Sequence, residues 1–231
     1  MSAAFYTPLR SEVAARAGTE MTAGRLSAVI FYEPGAHESA GIAHDPFKSL
    51  VAPRPIGWVS TMAADGSVNL APYSFFNAVG ERPPMLAFCS TGAKHSATFA
   101  GEIREFVWNL VTFELRHPMN ASSAPLPRGH SEFERASLEM APSMRVAPPR
   151  VASARCAMEC KVVERLELRD VEGRGTDQYL VIGQVVGVHL DEAAITDGIV
   201  ETATLHPVAR LGGPADYTVV TEAFQMTRPT S

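Results

Sequence analysis

The sequence predicts a mainly β, α+β fold, an antiparallel β-barrel with short flanking helices, on three observations. Seven strand-like runs rich in Val, Ile, Leu and Phe follow one another after residue 29. Clear turn signals separate them. Only two short helical segments intervene, too few for the crossovers that a parallel sheet needs.

Taken in order, residues 1–29 are rich in Ala, Thr and Ser, which predicts a weakly ordered tail or loose helix before a folded domain over 30–231. Residues 56–62 form an apolar, β-rich run, Ala64-Asp65-Gly66-Ser67 carries the Asp-Gly hairpin signal, and 68–76 resumes a strand pattern. Segments 85–90, 106–112, 155–168, 179–190 and 217–224 supply five further strands, led by β-branched or aromatic residues. Residues 171–177, with Gly173 and Gly175, read as the tip of a long hairpin. Segments 96–103 and 131–140 read as helices, each opened by a Ser that accepts from first-turn amides.

Composition narrows the function. With 231 residues and 46% hydrophobic content the chain buries a real core, and a net charge of −5 leaves no basic excess for a nucleic-acid backbone. Three cysteines, an odd number, argue against a disulfide-stapled secreted domain. No apolar run is long enough for a membrane helix, and the mixed charges near the N-terminus do not suit a secretory signal. A soluble cytoplasmic protein is expected, with neither membrane nor polymeric nucleic acid as partner.

The dinucleotide GxGxxG, P-loop, HExxH and GxSxG signatures are absent. Cys156 and Cys160 lack the second Cys or His pair that would complete a zinc site, so they read as buried structural thiols and no metal is expected. No catalytic side chain is assigned. His206, before Pro207 and a compact Arg-Leu-Gly-Gly segment, is the histidine most worth following.

The stretch over 52–77, APRPIGWVSTMAADGSVNLAPYSFFN, has the mixture a cofactor needs. Arg54, Ser60 and Thr61 are donors suited to a phosphate, and Pro72, Tyr73, Ser74, Phe75 and Phe76 offer apolar walls with backbone donors at the edge. Singly, Trp58, Phe75, Phe76 and Phe88 read as barrel core; only together do they favour a ligand. Asn77 and Asn109 divide evenly between turn closure and ligand contact. Lys94, beside Ser96 and Thr98 at a helix start, marks an anion site because free amides and a cation coincide there. Arg210 suits either an ion pair or a cofactor contact, with the cofactor favoured.

PRPIGWVST (53–61), NLAPYSFFN (69–77), PPMLAFCS (83–90), EFVWNLV (105–111) and HPVARLGG (206–213) occur in this order. With them the chain resembles the flavin-reductase-like, FMN-binding split-barrel family, in its flavoredoxin-like branch. The resemblance implies a split barrel of six or seven strands, FMN at a homodimer interface, and electron transfer from NADH or NADPH to the flavin. The alternative is an FMN-binding electron carrier reduced by a protein partner. By similarity Arg54, Pro55, Ile56, Gly57, Ser60 and Thr61, with Ala71, Pro72, Tyr73, Ser74, Phe75 and Asn77, line the ring and ribityl chain. Lys94, Ser96 and Thr98 hold the phosphate, and Arg210 completes the site. Where the family carries Lys-Asp-Thr this chain has Lys94-His95-Ser96, which keeps the hydroxyl and changes the charge. Arg54, between two prolines, is the candidate for stabilising an anionic reduced flavin.

Overall fold

The computed structural model describes residues 29–229. The expected N-terminal tail lies, except for Val29, outside the described residues. The chain divides after Asp45. Among the described residues of the first unit, the 3-10 turn Glu38–Ala40 is closed by Gly41 in the left-handed conformation.

The second unit opens with α1 (Phe47–Leu50) and β1 (Arg54–Pro55), followed by β2 (Gly57–Met62) and β3 (Val68–Tyr73). The Asp-Gly turn joins β2 to β3 as expected: the Ala63 amide donates to Ser67 O at 2.8 Å, and Gly66 adopts a φ of 86° that other residues resist. The chain then bends at Ser74 and Phe75 and forms β4 (Phe76–Glu81) and β5 (Pro84–Thr91). Next come α2 (His95–Ile103), β6 (Glu105–Asn109), α3 (Arg116–Ala121), α4 (Glu132–Arg135), β7 (Met140–Ala141) and β8 (Arg150–Val151). The long hairpin of β9 (Cys156–Arg169) and β10 (Gly175–Leu190) follows. The short strands β11 (Ile195–Thr196), β12 (Ile199–Val200), β13 (Val208–Arg210) and β14 (Tyr217–Val219) end the chain.

Seven strands form the main sheet in the order β3-β2-β6-β9-β10-β5-β4, every neighbouring pair antiparallel. This is the expected antiparallel split barrel. Its membership differs by one strand: the run at 217–224 shortens to β14 in a separate sheet, β1-β13-β14, and β4 takes its place. Asn77, Gly80 and Glu81 gave β4 little strand propensity; pairing with β5 overrides that. The helix expected over 131–140 stops at Arg135. Ser131 caps it as anticipated, but Ser137 turns left-handed at φ 53°.

The sheet separates two cores. On one side Val59, Phe88, Phe106 and Val181 pack with Ala97 and Ala100 of α2, and the Phe88 and Phe106 rings meet edge-on at 5.4 Å. On the other, Trp58 packs with Leu70, Met119, Phe133 and Val151, and its indole donates to Ser122 Oγ at 2.9 Å. Successive residues of β2 therefore enter opposite cores, which is why its sequence reads as a continuous apolar run. Cys156 and Cys160 are free buried thiols pushed up in pKa by burial, consistent with the structural reading. Asn109 settles as structural, accepting from the Val151 amide at 2.8 Å and donating to Trp58 O at 3.2 Å. Among the described residues no helix is long and apolar enough to cross a membrane.

Close packing makes one position intolerant. A Cβ on Gly183 of β10 would lie 2.3 Å from Phe106 Cε1 and 3.0 Å from Cys160 Cβ, both residues fully buried. Gly183→Ala is expected to destabilise the protein by about 1–3 kcal/mol. Urea denaturation reads this as a lower midpoint at unchanged slope.

Candidate functional site

Two recesses lie against consecutive residues at the end of β3, Tyr73 lining one and Ser74 the other. The first, about 300 Å³, opens at the start of α2 and is lined by Asn69, Ala71 and Tyr73 of β3, by residues 94–96, by residues 122–126 and by Glu132. Lys94 is the N-cap of α2 in an extended conformation, and no side chain caps the helix, so the free amides of the first turn face this end. Ser96 is buried and accepts from Asn69 Nδ2 at 2.8 Å. Burial raises the Tyr73 phenol, with the Ser96 and Ser90 hydroxyls bonded to it, so Tyr73 stays neutral. The His95 ring stacks on Phe99 at 5.0 Å. Positive potential thus gathers at the α2 side.

Glu132 stands in the same recess as its only carboxylate among the described residues. It accepts from the Leu70 amide at 3.0 Å, and burial raises its pKa against the opposing effects of that bond and of His95. Sequence reasoning missed both Glu132 and Asn69. Asn69 lay inside the quoted NLAPYSFFN motif, whereas Glu132 carried no signal beyond following a capping serine.

The second recess, about 580 Å³, runs between residues 50–55 and 74–77. Arg54, Pro55, Ser74, Phe75 and Asn77 line it with Leu50, Val79 and Cys89. Its walls are mostly apolar. Asn77 also accepts from the following amide of Ala78 at 2.8 Å.

Several expected site residues are engaged elsewhere. Arg54 is 6% exposed, and its guanidinium donates to the carbonyls of Lys48, Val51 and Leu211, tying α1 to the segment after β13. Its Nη donors therefore serve the fold, although Arg54 also lines the second recess, and Nε is buried without a partner. Ser60 donates to Pro149 O at 2.5 Å, and Thr61 Oγ1 is buried without a partner. Both lie on β2, whose two faces are covered, so neither reaches the recesses. Ile56 is core, and its carbonyl accepts from Trp108 Nε1 at 3.0 Å. Gly57 is required by packing: a Cβ there would lie 2.5 Å from the Phe76 ring, which stacks on Trp108 at 6.0 Å. Pro72 and Thr98 line neither recess, and Thr98 Oγ1 donates back to Ala93 O at 2.9 Å. Arg210 reaches Tyr217 Oη at 2.8 Å and Pro214 O at 2.6 Å, so it braces the β13–β14 turn. His206 is exposed and left-handed, with its carbonyl accepting from the Phe113 amide.

The fold agrees with comparison to other proteins. The profile of the flavin reductase like domain matches residues 50–204. An uncharacterized protein of Deinococcus radiodurans is 38% identical over 192 residues, covering 78% of this chain and 82% of that one. Component B of nitrilotriacetate monooxygenase from Bacillus cereus superposes with a TM-score of 0.76 at 29% identity, over 87% of this chain and all of that one. The 2-nitrobenzoate 2-nitroreductase NbaA of Pseudomonas fluorescens gives 0.70 at 29% identity, over 80% and 89%. With two thirds of its length matched and the split barrel in common, the chain belongs to the flavin reductase like domain family.

Proposed function

We propose that this protein binds FMN and, as an oxidoreductase, passes electrons from NADH or NADPH to it. The carrying observation is the junction in β3 and the bend after it: Tyr73 lines the recess at α2 and the adjoining Ser74 lines the apolar groove. One segment thus serves both a site suited to an anion and a site suited to a flat ring, the two chemistries that FMN combines. The donor set fits. Lys94 and the uncapped amides of α2 would hold the phosphate with the Ser96 hydroxyl, while Pro55 and Phe75 would wall the ring.

When bound, the flavin supplies the redox chemistry, and the protein supplies binding, orientation and exclusion of water. The names of the nitroreductase and the monooxygenase component support an oxidoreductase role. Leu50, Val51 and Val79 on the groove are 75%, 52% and 54% exposed, which supports the homodimer expected from the resemblance. Three free thiols suit a cytoplasmic location.

The test is spectroscopic. Purified protein is expected to be yellow or to bind added FMN, and its flavin absorbance to bleach on anaerobic addition of NADH or NADPH. Bound flavin that neither nucleotide bleaches would remove the nicotinamide step. Colourless protein without affinity for FMN would remove the reading altogether.

A further inference from the structure

The recess at α2 gathers positive potential from Lys94 and the helix start, yet it also contains the buried carboxylate of Glu132, 3% exposed. That carboxylate is fixed, because the Leu70 amide of β3 holds it at 3.0 Å and Ser131 caps its helix. The recess is only about 300 Å³, and at an effective dielectric of about 20 like charges as much as about 10 Å apart weaken binding tenfold or more. Glu132 cannot swing away into water without leaving the core beside Phe133.

We propose that Glu132 couples anion binding to protonation: a phosphate-bearing ligand enters the recess together with one proton from solvent, which Glu132 carries and returns on release. This rests on the FMN reading. The titratable groups that line the recess with Glu132 are Tyr73 of β3 and Lys94 and His95 of α2. The wall of residues 122–126 adds none, and Glu134 and Arg135 on its own helix are exposed. Burial already moves Glu132 above the ordinary carboxylate range of about 4.3, and a second negative charge moves it further. Affinity for the anion therefore falls as pH rises above the pKa of the free protein.

The experiment compares FMN and riboflavin binding by wild type, Glu132→Gln and His95→Gln from pH 5.5 to 8.5. Glutamine keeps an acceptor for the Leu70 amide and cannot ionise. At pH 8 Glu132→Gln is expected to bind FMN about tenfold more tightly than wild type, and to lose the part of the pH profile that wild type and His95→Gln share. Riboflavin, without phosphate, is expected to bind all three proteins alike. Calorimetry of the wild type in buffers of different ionisation enthalpy is expected to show proton uptake with FMN and none with riboflavin, a readout independent of any variant. Equal FMN profiles in wild type and Glu132→Gln, or no proton uptake, overturn the coupling while leaving FMN binding intact. Absence of FMN binding at every pH overturns both.

Discussion

Glu159→Ala is expected to destabilise the protein by about 3–5 kcal/mol, because it leaves several donors without their acceptor at roughly 1–3 kcal/mol for each that stays buried. Glu159 lies in β9, fully buried, where a carboxylate is tolerated only if its oxygens are satisfied. They are: Oε1 accepts from the Met144 amide at 2.8 Å, and Oε2 from those of Arg145 at 2.5 Å and Val146 at 3.1 Å. His189 Nε2 of β10 also lies 2.5 Å from Oε1. One side chain thus organises a stretch of the long connection between α4 and β9. Alanine strips three amides and an imidazole of their partner at once, and urea denaturation measures the loss. Glu159→Gln, which keeps one acceptor oxygen, is expected to lose roughly half as much.

The same residue sets a pH dependence. Burial pushes the Glu159 carboxyl up, but His189 and the amides of Met144 and Arg145 outweigh it and hold the group below its ordinary value. A depressed folded pKa means that the stabilisation is fully present above the unfolded value of about 4.3 and is lost as pH falls through the folded value. In Glu159→Gln that component of acid lability is expected to disappear. Acid unfolding profiles identical to wild type would show that the carboxylate's bonds do not stabilise the fold.

Glu159 shows what the sequence could not display. Period, turn residues and β-branched runs located six of the seven barrel strands, the Asp-Gly turn, α2 and the long hairpin, because those features are local. A buried glutamate inside a strand looks like any exposed strand charge until the partner loop folds onto it. β4 was hidden for a related reason, since its pairing with β5 outweighs its weak propensity. The site divides in the same way. Lys94 and Ser96, expected from charge and hydroxyl at a helix start, line the recess at α2, and Ser74, Phe75 and Asn77, expected from the motif at the end of β3, line the second. Ser60 and Thr61 line neither recess because both faces of β2 are covered, which hydroxyls in an apolar run do not reveal. Arg54 and Arg210 both reach backbone carbonyls, and the sequence does not show whether an arginine ends there or on a ligand.

Lys94 and Ser96 carry the largest expected effect on binding, and the structure separates their contributions. Lys94 is exposed at the N-cap of α2 and makes no capping bond, so Lys94→Ala removes a charge without disturbing packing. Its loss is expected to weaken FMN binding by about 1–3 kcal/mol, with stability changed by less than about 0.5 kcal/mol. Ser96 is 1% exposed, and its hydroxyl accepts from Asn69 Nδ2, so Ser96→Ala also leaves a buried amide without that partner. Ser96→Ala is therefore expected to cost about 1–2 kcal/mol of stability besides its share of affinity. In the double variant FMN binding is expected to fall by about 2–5 kcal/mol while riboflavin binding stays unchanged, because in the proposed reading only the phosphate meets this end of α2. Fluorescence titration with both flavins reads the difference directly. Equal losses for the two would mean that the variant had damaged the ring groove, and no loss for either would place the phosphate away from α2.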